Sequence, residues 1–154
     1  MKILIADVLV PFEANRGEGL AAQLSGHLIQ IGHEAEILRI PLDARSDAWV
    51  SQWMLLATLR ITQVDRLIGV AAPMALINHP CKVLWLDSAL RLELVGADAA
   101  MAERALLDAA SGAHSVFARS QRAREWLGRE GGIDAPILDQ ATMSWSSIAS
   151  RLLA

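Results

Sequence analysis

Three groups of side chains have types and spacings that chemistry could use. The first is Arg16-Gly17-Glu18-Gly19, within a loop over residues 7–19 that also holds Pro11. Gly17 and Gly19 would let the backbone approach a ligand, and the N–H groups of a following helix would face a phosphate. The spacing is not GxGxxG, and Glu18 would repel an anion, so a plain glycine turn competes with ligand binding. The second group is Asp87, Ser88 and Arg91, which follow the apolar run Lys82-Val83-Leu84-Trp85-Leu86. Asp87 is a candidate base and Arg91 a candidate anion clamp; the plainer reading is a solvated loop. The third is Arg119-Ser120, after Ser115-Val116-Phe117-Ala118. Ser120 is expected to cap a helix, with any ligand contact additional. The candidate ligand-binding residues are therefore Arg16, Gly17, Gly19, Asp87, Ser88, Arg91 and Ser120, and no residue is assigned a catalytic role.

The other reactive side chains carry less. His27, His33, His79 and His114 form no pair at metal-ligand spacing, so no metal site is predicted, and each is read as a hydrogen-bonded structural residue. Cys81 stands alone before a strand and is read as a small apolar filler. Five tryptophans occur with no tyrosine. Trp49, Trp53, Trp85, Trp126 and Trp145 all fall on expected elements, where core or interface packing is the default.

The elements that must position these residues follow from periodicity. Apolar runs of strand length occur at residues 2–6, 35–40, 66–70, 82–86 and 115–118, with a short sixth at 136–138. Between the first two, Leu20, Leu24, Leu28 and Ile31 recur at helical spacing and Gly32 stops the helix. Ser46 or Asp47 can cap a second helix bearing Trp49, Trp53, Leu56 and Leu59. Residues 71–80 form a connection with a single turn at 74–77, and residues 87–96 fit no pattern. Further helices are predicted over 98–110 and from Ser120 to about Gly128, with Gly131-Gly132 as a stop. Thr142 or Ser144 caps a last helix, in which Trp145, Ile148, Ala149 and Leu152 share one face. Strands alternate with helices and are continuously apolar. The fold class is therefore α/β: a single Rossmann-like three-layer domain with a mainly parallel sheet of about six strands, in the order 3-2-1-4-5-6. In such a sheet ligands bind at the carboxyl ends of the strands, where all three groups above fall.

Bulk properties bound the function. The chain has 154 residues, enough for one domain with a real core. Its net charge of −3 argues against nucleic-acid binding. A single cysteine excludes an internal disulfide and fits a reducing cytoplasm. Met1 leads directly into a strand, so no secretion signal is expected, and no apolar run is long enough for a membrane span. The hydrophobic fraction is 53% and mean hydropathy +0.32, an excess that either covers a partner surface or reflects alanine content.

Several stretches together resemble one family. Met1-Lys2-Ile3-Leu4-Ile5, the glycine loop, and Leu28-Ile29-Gln30-Ile31-Gly32-His33-Glu34-Ala35-Glu36-Ile37-Leu38 look like the start of a family-four glycosyltransferase of the B fold. His79-Pro80-Cys81-Lys82-Val83-Leu84-Trp85-Leu86 is similar to an HPxKVxWL segment in a subset of those enzymes. Val116-Phe117-Ala118-Arg119-Ser120 and Gly132-Ile133-Asp134-Ala135-Pro136-Ile137-Leu138 are similar to the end of their first domain. Ser144-Trp145-Ser146-Ser147-Ile148-Ala149-Ser150-Arg151-Leu152-Leu153 is similar to the helix that crosses back from their second domain. Three departures stand beside this. Arg16-Gly17-Glu18-Gly19 replaces a Gly-Gly-Ala-Glu type of loop, Ser88 stands where a histidine is expected, and only residues 139–142 join Leu138 to the crossing helix.

The resemblance implies an acceptor-side domain over residues 1–138, a short linker over 139–142, and a C-terminal helix over 143–154 packed back on the domain. It implies an isolated or engineered half-enzyme without turnover of its own, since the donor-binding domain is missing and a serine cannot replace an imidazole as a base near neutral pH. The implied partners are a sugar acceptor or nucleotide sugar, bound weakly, and a second copy or the missing donor domain. No cofactor is implied. The alternatives are a small nucleotide- or flavin-binding α/β module and a purely structural scaffold.

Overall fold

The apolar runs do form the sheet, and the helices between them cover both of its faces. The computed structural model describes residues 1–9, 18–43, 49–87 and 97–154. Its strands are β1 (Lys2–Leu9), β2 (Glu34–Pro41), β3 (Arg66–Gly69), β4 (Lys82–Leu86) and β5 (Ser115–Ala118). Its helices are α1 (Glu18–Gln30), α2 (Trp49–Thr58), α3 (Ala97–Ser111), α4 (Gln121–Gly131) and α5 (Trp145–Leu153), with a short 3-10 turn over Ala72–Leu76. All four strand pairings are parallel. The expected caps Ser46 and Asp47 lie outside the described residues.

The strand order differs from expectation. It is β2-β1-β3-β4-β5, so the third strand pairs with β1 on the side away from β2. The reason is legible in β2. Glu34, Glu36, Arg39 and Pro41 are exposed, and no residue of the strand is fully buried. Such a strand suits an edge, where charge and proline discourage further pairing. β3 and β4 are almost wholly buried and take the interior.

The sixth strand shrinks to one bridge between Ala118 and Ile137. There the Ala118 N–H donates to the Pro136 carbonyl at 3.0 Å, and the Leu138 N–H donates to the Ala118 carbonyl at 2.8 Å. Two residues earlier, the same ladder would need an N–H from Pro136 to the Val116 carbonyl, and proline has none. β1 also runs three residues further than expected, so the loop begins after Leu9, and α1 begins at Glu18, which places Gly19 in its first turn.

Odd-numbered residues of β1 face one layer and even-numbered residues the other. Ile3 and Ile5 join Leu20, Leu24 and Leu28 of α1 and Ile148, Ala149 and Leu152 of α5. On the opposite face, Ala6 and Leu67 meet Trp49, Trp53 and Leu56 of α2 with Ala102 and Leu106 of α3. Leu84, Leu86 and Ala118 pack against Ala123 and Leu127 of α4. Gly69 is required where β3 meets the 3-10 turn, because a Cβ there would lie 2.9 Å from Leu84 Cδ2 and 3.0 Å from Met74 Cβ. Gly132 ends α4 in the left-handed conformation, with φ of 64°, which favours glycine.

α5 is held by more than its apolar face. Ser144 caps it by accepting from the Ser147 N–H at 3.2 Å, as one of the two expected caps. The Arg66 guanidinium donates to the Leu152 carbonyl at 2.8 Å, which places a cation at the helix C-terminus. Because Ile148 is fully buried between α1 and the sheet, Ile148→Ala should lower unfolding stability by about 2–5 kcal/mol in urea titration. A loss below about 0.5 kcal/mol would mean that α5 is not part of the cooperative core.

Candidate functional site

Parallel strands with helical crossovers send every strand's carboxyl end to one edge of the sheet. At that edge, β4 ends at Leu86 and Asp87 follows, exposed; β5 ends at Ala118, and Arg119 and Ser120 follow. The Arg119 N–H donates to the Leu86 carbonyl at 2.8 Å and carries the β4–β5 pairing one step past the strands. This brings together two candidates from separate parts of the chain. Ser120 Oγ lies 3.5 Å from Asp87 Oδ1, at the outer limit of a hydrogen bond. The same Oγ accepts from the Ala123 N–H at 3.1 Å, so Ser120 is the N-cap of α4, as expected. Arg16, Gly17, Ser88 and Arg91 lie outside the described residues. Gly19 is at the start of α1, on the same edge, but belongs to β1's side of the sheet. β3 separates β1 from β4, so that side is roughly 10 Å away at the usual strand spacing.

Arg119 is fixed from below. Its guanidinium lies 5.7 Å from the centroid of the Trp85 ring, within cation–π range. Trp85 is fully buried, its Nε1–H donates to the Leu138 carbonyl at 2.9 Å, and it meets Trp145 edge-on at 6.1 Å. Asp7 is a site candidate that the strand boundary concealed. It lies within β1, buried, in register beside Arg39, and its Oδ1 accepts from the Val8 N–H at 2.8 Å. An acidic residue directly after an apolar run is the signal for it. The edge therefore presents carboxylates from β1 and β4, a hydroxyl at a helix N-terminus and a stacked guanidinium. Such groups bind hydroxyl-rich or anionic small molecules through directional hydrogen bonds.

The histidines, Cys81 and Lys82 sit at the other end of the strands. His79 precedes β4, Nδ1 accepting from the Cys81 N–H at 3.1 Å and Nε2 facing the Val64 carbonyl at 3.2 Å. This is the expected structural histidine. His27 and His33 differ: His27 Nε2 and His33 Nδ1 are buried without a hydrogen-bond partner among the described residues. Cys81 is partly exposed. A cleft of about 550 Å³ opens along β5, lined by Ser111, His114, Ser115, Val116 and Asp134 among others. It occupies the gap left where Pro136 ends the sixth strand, and none of the predicted site residues lines it. Among the described residues, no three His, Cys, Asp or Glu side chains gather as a metal site would need. No helix among them is long and apolar enough to cross a membrane.

Searches of the known family models and of the curated proteins find no match to this chain.

Two predictions come from this geometry. Ser120→Ala removes the cap of α4 and should cost about 0.5–2 kcal/mol in chemical denaturation; an unchanged midpoint would show that α4 does not need the cap. Lys82 is buried at the start of β4, its Nζ donating to the carbonyls of Ala75 and Ile77, and burial lowers its pKa from the ordinary lysine value. The unfolded chain then keeps the proton to higher pH than the folded one. Stability should rise with pH between the lowered and the ordinary value, and Lys82→Met should remove that slope. Parallel stability–pH curves for the two proteins would contradict the burial of this ammonium.

Proposed function

We propose that this chain is an acceptor-side domain related to B-fold glycosyltransferases, with the crossing helix joined directly to it and without turnover of its own. The observation that carries this reading is the seat of α5. Its face of Ile148, Ala149 and Leu152 is fully buried on α1 and the sheet, although only residues 139–142 separate it from Leu138. In the resembled enzymes an entire domain lies between these two segments. Burial of the two large side chains is worth about 1.5–3 kcal/mol each, so the domain gains by keeping the helix after losing what preceded it. The strand order supports the same reading, because 3-2-1-4-5-6 without its outermost strand becomes the arrangement found here.

In this reading Asp87 accepts hydrogen bonds from the hydroxyls of a sugar acceptor, Ser120 orients that carboxylate, and Arg119 faces the anionic part of a nucleotide sugar, for which Arg91 is the clamp that the sequence offers. Binding is weak, because no donor-binding segment stands between Leu138 and α5. The protein works in the cytoplasm.

A second reading is favoured by one observation. The order β2-β1-β3-β4-β5 is also that of flavodoxin-like proteins, which bind a mononucleotide at the β1/β3 switch point. A flavin absorbance in the purified protein, or a thermal shift confined to flavin and free nucleotides, would select this module over the glycosyltransferase half.

The test is a thermal-shift titration with nucleotide sugars, free nucleotides and simple sugar acceptors. A ligand at a hundredfold excess over its Kd should stabilise the fold by about 2.7 kcal/mol. The expected result is a shift with a sugar acceptor or nucleotide sugar that Arg91→Ala or Asp87→Asn abolishes. A flat response across the panel would overturn the binding role and leave a structural scaffold.

A further inference from the structure

β5 is the far edge of the sheet, and its outward side is only partly covered. Successive residues of a strand turn their N–H and carbonyl groups to opposite sides. The Arg119 N–H reaches inward to the Leu86 carbonyl, and the Ala118 N–H and carbonyl reach outward to Pro136 and Leu138. Val116, two residues before Ala118, therefore also turns its backbone groups outward. No described residue pairs with them. An open edge of this kind is a template for a further strand. The cleft of about 550 Å³ lies along it, and the strand position beyond is already taken by residues 136–138.

The charge around the cleft has one sign. Asp134 lines it, and no lysine or arginine does. α3 ends at Ser111 and α4 at Gly131, both on the cleft wall, so the negative ends of two helix dipoles meet there. α3 has no basic residue in its last turn to offset this. Arg129, in the last turn of α4, faces Glu125 at 4.0 Å. Arg124 approaches Asp134 only to 3.6 Å, and the Asp134 side chain stays 92% exposed, open to a second cation.

We propose that this cleft binds a short extended peptide of positive charge, added beside β5 in the place of the missing sixth strand. The peptide backbone supplies a carbonyl for the Val116 N–H and, for the Val116 carbonyl, the N–H that Pro136 withholds. A lysine or arginine of the peptide meets Asp134 and the two helix ends. A second copy's β5 does not fit. Paired antiparallel about Val116, the second copy's His114 would take the place that Ile137 holds beside Ala118. The site lies away from the carboxyl edge and does not depend on the glycosyltransferase reading.

Amide exchange followed by NMR tests it, with a capped tetrapeptide of alternating lysine and valine as the probe. In the free protein the Val116 amide should exchange readily, while those of Phe117 and Arg119, which face β4, are protected. The peptide should slow exchange at Val116 about tenfold or more and leave Phe117 and Arg119 unchanged. The same peptide with glutamate for lysine, or with N-methylated backbone amides, should bind at least roughly tenfold more weakly. Asp134→Lys should weaken the lysine peptide likewise, with thermal unfolding like the parent's because the side chain is exposed. Pro136→Val restores the withheld N–H, lets the chain complete its own sixth strand on Val116, and should abolish binding. A Val116 amide that the peptide leaves unchanged, equal binding of the lysine and glutamate peptides, or a Pro136→Val protein that binds as the parent does would each overturn the proposal.

Discussion

The buried indole of Trp85 joins three separate parts of this molecule. It stands on β4, one strand in from the β5 edge, with no exposed surface. Its Nε1–H would be stranded there without a partner, and the Leu138 carbonyl satisfies it. That bond fixes the segment after α4 against β4. The ring edge meets Trp145 of α5, and the ring face carries the guanidinium of Arg119. One side chain thus ties together an interior strand, the returning helix and the rim where ligands of parallel sheets bind.

The two ends of the sheet are chemically unlike. The amino edge holds His79, Cys81 and Lys82: the His79 ring accepts from the Cys81 N–H and faces the Val64 carbonyl, and Lys82 Nζ donates to the Ala75 and Ile77 carbonyls. They close the protein on itself. At the carboxyl edge, Asp87 and Arg119 directly follow β4 and β5 and Ser120 caps α4, and the Arg119 N–H is paired with the Leu86 carbonyl. Rigid elements hold these side chains while their heads stay near solvent, which suits binding better than folding does.

Two proline- and charge-bearing segments shape the rest. β2 is an edge because its glutamates and arginine need water on one side. Pro136 withholds one N–H, and the far side of the sheet opens into a cleft instead of a sixth strand. On the helical side, α2 buries its tryptophans and leaves an uncharged face outward.

The sequence by itself determined the class of fold and the order of its elements, because continuous apolar runs of strand length and apolar stripes of period 3.6 report burial directly. Lys82–Leu86 and Ser115–Ala118 were readable as strands to the residue, Ser120 as a cap and Ser144 as one of two candidate caps. Gly131-Gly132 was readable as a stop. Tertiary structure decided which strands are neighbours, since pairing brings together residues that no local pattern connects. It put β3 beyond β1, extended β1 through Asp7, and drew Asp87 and Ser120 to within 3.5 Å across 33 positions of chain. The charges of β2 and the missing N–H of Pro136 were visible in advance. Their consequences were not, because an edge or a broken ladder exists only once a neighbouring strand is in place.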